Sequence, residues 1–61
     1  MSDESVSSVV EHVISTAKEY GFQPEGETVK EAVSESSYVL AIDLSPVQFM
    51  QACDEVNGHF N

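Results

Sequence analysis

From Val6 to Ala17 the apolar positions fall three and four apart, at Val6, Val9, Val10, Val13, Ile14 and Ala17. That spacing puts one apolar stripe on an α-helix. Ser5, Ser7, Ser8, Glu11, Ser15 and Lys18 fall mostly on the opposite side. Ser2 or Asp3 can cap the helix start, and Asp3 and Glu4 suit its positive end. Gly21 can take the left-handed position after the last turn, with Phe22 packing back. Valine is a modest helix former, so the helix relies on packing.

The pattern changes at Tyr38–Leu44, the sequence YVLAIDL. Here Tyr38, Leu40, Ile42 and Leu44 alternate with Val39, Ala41 and Asp43, and successive side chains of a strand point to opposite faces. Tyr, Val and Ile also favour strands. Upstream, Thr28–Val33 can form a weaker strand, and Ser34–Ser37 then reads as a hairpin loop of about four residues. Lys30 and Glu31 would suit an edge strand. Gln23–Glu27 reads as the turn before it, shaped by Pro24 and Gly26. A rival helical pattern also runs through the segment: Val29, Ala32, Val33, Ser36, Ser37, Leu40 and Leu44 keep three- and four-residue spacing. The serines and the missing stop signal before Asp43 favour the hairpin.

Leu44–Gln48 is the clearest helix start. Ser45 is the expected N-cap, Pro46 the first helical residue and Gln48 the partner that completes a capping box. The helix should bury Val47, Met50, Cys53 and Val56, with Phe49, Ala52 and Phe60 alongside. Asn57-Gly58 should end it, leaving His59, Phe60 and Asn61 beyond. The expected fold class is therefore α+β: a helix–β-hairpin–helix (αββα) in one small domain over residues 1–61. The alternative is a three-helix bundle.

Length changes the picture next. A chain of 61 residues buries only about 60% of its unfolded surface. Chains of this size lean on disulfides, metals or association. Cys53 is the single cysteine, so no internal disulfide is available, and no Cys/His cluster suggests structural zinc. A lone hairpin is also weak in water. Dimerisation that completes the sheet would answer both needs, so a homodimer is expected. The acidic N-terminus does not read as a signal peptide, and no segment approaches bilayer length. With one free thiol, this points to the cytoplasm.

Charge narrows the partners. Eleven acidic residues face two lysines, Lys18 and Lys30, for a net charge of −9. Nucleic-acid affinity rests on Lys and Arg neutralising phosphate, so direct nucleic-acid binding is not expected. Anionic membrane surfaces are disfavoured for the same reason. The charge suits solubility, life at high salt, or an acidic face for a basic partner.

Candidate chemistry is sparse. Cys53 lies on an apolar stripe beside Asp54, where carboxylates raise a thiol pKa. His12 and His59 match no nucleophile–base pattern, and Cys53 with His59 matches no zinc spacing. The acidic positions do not fit a calcium loop. Glu25, Glu27, Glu31 and Glu35 recur at near-even spacing, with Asp43 further on. They could form an acidic partner-binding edge. Catalysis by paired carboxylates would need a pocket, which so small a domain is not expected to provide. No cofactor or metal is expected, and no enzymatic activity.

Two local likenesses bear on function. Pro46-Val47-Gln48 through Asp54, then Asn57-Gly58-His59, resembles the last helix of acyl carrier proteins, which are also small and acidic. Their carrier serine lies in an Asp-Ser-Leu motif, whereas this chain has Asp43-Leu44-Ser45, so the attachment site is not carried over. Pro24-Glu25-Gly26, Val29-Lys30 and Tyr38-Val39-Leu40 are similar to leader regions of nitrile-hydratase-like peptide precursors. That likeness implies a hairpin after a helix, without the usual double-glycine cleavage site. The functional expectation is a small acidic protein-binding or regulatory module, such as an inhibitor of a nucleic-acid-handling protein. It would meet a basic protein surface through Glu25, Glu27, Glu31, Glu35 and Asp43. The alternative is a carrier or precursor peptide that a modifying enzyme acts on.

Overall fold

The computed structural model describes residues 3–60, and among these residues it holds three helices and no strand. They are α1 (Glu4–Tyr20), α2 (Glu27–Val39) and α3 (Pro46–Phe60). The α+β expectation is thus overturned in favour of the three-helix alternative. The case for a homodimer that completes a sheet falls with the hairpin.

Helix α1 follows its pattern closely. Asp3 accepts hydrogen bonds from the backbone N–H groups of Ser5 (3.0 Å) and Val6 (3.4 Å). Its partner in the cap expectation, Ser2, lies outside the described residues. Val6, Val9, Val10, Val13 and Ala17 are buried. Gly21 adopts φ 69°, and the Phe22 N–H bonds the Ala17 carbonyl at 3.0 Å, which closes the helix as expected.

Helix α2 replaces the hairpin because its inward positions recur at helical spacing. Val29, Val33 and Ser36 lie one and two turns apart, and all three are buried. The serines that suggested a loop are accommodated inside the helix. Ser36 Oγ lies 2.8 Å from His12 Nδ1 of α1, and Ser37 Oγ donates to the Ser34 carbonyl at 2.8 Å. The alternation at Tyr38–Leu44 does not make a strand: Tyr38 is 86% exposed, whereas Ile42 and Leu44 pack against the core.

The helix stops after Val39 without a glycine. Ala41 takes φ 56°, its N–H bonds the Tyr38 carbonyl at 3.1 Å, and the Ile42 N–H bonds the Ser37 carbonyl at 2.9 Å. This is the double closure of a Schellman motif, with alanine in the left-handed position. The reversal lets Ile42 and Leu44 return to the core.

The start of α3 matches its sequence signature. The Gln48 N–H donates to Ser45 Oγ at 3.2 Å, and the Ser45 N–H donates to Gln48 Oε1 at 2.8 Å. Its buried face differs from the expectation. Ala52 and Val56 are buried, with Phe49, Cys53 and Phe60 packed against the core. Val47 and Met50 are instead 66% and 68% exposed. Asn57-Gly58 does not end the helix, which continues through His59 to Phe60; Asn61 lies outside the described residues.

Side-chain bonds fix the helix directions. Gln48 Nε2 at the start of α3 donates to Asp3 Oδ2 at the start of α1 (2.7 Å). Gln23 Nε2, just past α1, donates to the Phe60 carbonyl at the end of α3 (3.2 Å). Matching ends therefore meet, so α1 and α3 run alongside in one direction and α2 returns between them. The core is built of small side chains, mainly Val6, Val9, Val13, Val29, Val33 and Val56.

Candidate functional site

Helical geometry reorganises the acidic residues. Glu27, Glu31 and Glu35 are four residues apart on α2 and form one exposed stripe. Glu25 lies exposed just before the helix, and Asp43 lies exposed in the α2–α3 loop beyond its other end. The structure thus joins three of the five residues on one face, with Glu25 at its start. Asp43 belongs to a separate loop.

The start of α2 is set by Thr28. Its Oγ1 accepts from the Glu25 N–H at 2.7 Å and donates to the Glu25 carbonyl. That local ring fixes Glu25 at the head of the stripe. Lys30 reaches Glu27 at 3.8 Å, an exposed pair whose contribution is small. Among the described residues no cation pairs with Glu31 or Glu35. Like charges four apart destabilise a helix by about 0.2–0.5 kcal/mol per pair. Glu35 is also toward the negative end of the helix dipole. The stripe therefore costs α2 stability.

A groove lies beside this stripe, which the size of the chain did not lead us to expect. It runs along the α1–α2 seam and encloses about 550 Å³. Its α2 wall is Thr28, Glu31, Ala32, Glu35, Ser36 and Val39, all on one helical face. His12, Val13 and Thr16 of α1 form the other wall, and Phe22, Gln23 and Pro24 close one end. No residue of α3 lines it. On the other side of α2 is a shallower depression bordered by Lys30, Tyr38 and Phe49. Glu31 and Glu35 border both, so the acidic stripe is a ridge between two hollows.

His12 and Ser36 join the groove walls. Ser36 is 4% exposed, and its hydroxyl is satisfied by His12. Among the described residues no carboxylate hydrogen-bonds His12, so the pair lacks the third, orienting group of a nucleophile–base relay. The bond instead pins α1 to α2. The sequence places Ser36 in the loop or on the rival helical pattern and gives His12 no catalytic role; their contact spans distant positions, and no local pattern announces it.

Cys53 is half-buried against the core. Burial, and then the Asp54 carboxylate, push its thiol pKa up, which makes it a weak nucleophile. Ser45 is engaged in the α3 capping box. Asp3 moves the other way: the Gln48 hydrogen bond, helped by the Val6 and Ser5 N–H groups, holds its carboxyl below the usual range. Among the described residues no three His, Cys, Asp or Glu side chains gather as a metal-binding group. Likewise, no helix among them is long and apolar enough to cross a membrane. Comparison with protein-family models, curated proteins and solved structures finds nothing that matches this chain.

Proposed function

We propose that this chain is a small acidic protein-binding module that meets a basic protein surface through α2. The observation that carries the reading is the stripe Glu27–Glu31–Glu35, headed by Glu25 and left without cations at Glu31 and Glu35. Its repulsion would be relieved by Lys or Arg side chains from a partner. Long-range attraction from a net charge of −9 would speed the encounter. The partner is the natural target of regulation in this reading, and the chain itself carries out no reaction. It makes no direct contact with nucleic acid, although a nucleic-acid-handling protein offers the right basic surface. The cytoplasm is the proposed setting, where Cys53 stays reduced.

The test is a binding titration with the partner, identified by low-salt capture and then purified. Affinity should fall steeply as salt rises through the physiological range, because exposed charges are screened. Glu27→Lys with Glu31→Lys should abolish binding while the helical spectrum is kept. Binding that is insensitive to both salt and the double variant refutes the proposal.

A further inference from the structure

We propose that the α1–α2 groove holds an amphipathic basic helix of the partner, apolar side down, with its cationic side chains on Glu31 and Glu35. This rests on the acidic-module reading and adds the shape of what is bound. The α2 wall recurs at helical spacing from Thr28 to Val39, a run of about 16 Å, or three helical turns. Phe22 and Pro24 line one end, and Val39 lies at the other. Phe22 and Val39 are 46% and 64% exposed, so apolar anchors are available at both ends. A seam between two helices, with no α3 residue lining it, is where a fourth helix would complete a bundle. Helix-in-groove recognition needs this: anchors about one turn apart on one face, and polar contacts along the rim.

Charge selects the occupant. Neither lysine lines the groove, while two glutamates do. A second copy would bring another −9 and be repelled at low salt. A helix with Lys or Arg flanking an apolar stripe satisfies both the rim and the floor.

The probe is a labelled peptide of about fourteen residues, long enough for the groove. It carries leucines at i, i+4 and i+7 and lysines at most other positions. A scrambled peptide of the same composition has no stripe. Fluorescence anisotropy at low salt should show the striped peptide binding about tenfold more tightly, a difference of about 1.4 kcal/mol. Val39→Asp should weaken it about tenfold, although it adds negative charge that would favour a cation. Phe22→Asp, at the closed end, should act alike. Val47→Asp makes the same change on exposed α3, outside the groove, and should leave binding within about twofold. Circular dichroism confirms that each variant is folded. Equal, salt-sensitive binding of both peptides, with Val39→Asp matching Val47→Asp, overturns the groove and leaves the acidic stripe standing. Failure of both peptides to bind at low salt overturns both. A wild-type dimer that Val39→Asp dissociates shows that a second copy is the occupant, and overturns the inference.

Discussion

Ala41→Gly should stabilise the protein. Ala41 holds φ 56°, a left-handed conformation that costs an L-residue about 1–2 kcal/mol. Glycine removes that strain, but its unfolded chain is freer, which takes back about 0.5–1 kcal/mol. Ala41 is exposed, so no core packing is lost with the methyl group. The net expectation is a gain of about 0.7 kcal/mol, or about 4 °C in the thermal midpoint for a domain of this size. Urea unfolding followed by far-ultraviolet circular dichroism measures it, with an unchanged slope showing that only stability moved. Ser34→Gly is the control, because Ser34 is exposed within α2. There glycine should cost about 0.5 kcal/mol. A strand at Tyr38–Leu44 would reverse the first sign, since glycine weakens strands. Destabilisation by both substitutions would refute the left-handed closure of α2.

Three other predictions test different parts of the account. Gly58 lies within α3 with open space around its Cβ position, so Gly58→Ala should add about 0.5 kcal/mol in the same unfolding assay; a loss would restore the stop expected at Asn57-Gly58. Glu35→Lys should raise stability by about 0.5 kcal/mol, by removing repulsion with Glu31 and suiting the helix end, while weakening binding to the basic partner; unchanged partner affinity would detach the stripe from function. The lowered pKa of Asp3 means that its carboxylate stabilises the fold at pH values above its unfolded pKa. That contribution is lost as pH falls through the lower folded pKa. Asp3→Asn should therefore flatten the acid limb of stability against pH, and Gln48→Ala should raise the Asp3 pKa in an NMR titration. An unmoved Asp3 pKa would remove the Gln48 bond as its cause.

Much of the fold is legible where one signal stands alone. In α1, the Asp3 cap, the valine stripe and the Gly21 closure agree. The start of α3 is equally plain, because Ser45, Pro46 and Gln48 have complementary roles. The buried face of α3 is not plain: Val47, Phe49, Met50, Ala52, Cys53, Val56 and Phe60 surround much of the helix. Two stripes share Cys53 and Val56, and packing of Phe49 against the core chooses between them. Segment 28–44 carries both periods at once. Its strand-like alternation is outweighed by Val29, Val33 and Ser36 meeting α1 and α3, a tertiary preference over a local one. The end of α2 is silent in sequence because alanine occupies a position where glycine is usual. The acidic residues are visible as a series, but their stripe exists only once the segment is helical. The groove needs α1, α2 and the Phe22–Pro24 loop together. The spacing of Thr28, Glu31, Glu35 and Val39 was its one linear trace.

The stripe and groove both depend on the backbone of residues 27–44, so its conformation is the most direct test. Backbone NMR assignment with ¹³Cα and ¹³Cβ shifts reads it residue by residue. Helical shifts are expected from Glu27 through Val39, with a left-handed signature at Ala41 and non-helical values at Ile42–Ser45. Strand shifts across Thr28–Val33 and Tyr38–Leu44, with cross-strand contacts between them, would contradict it and remove both the acidic stripe and the groove.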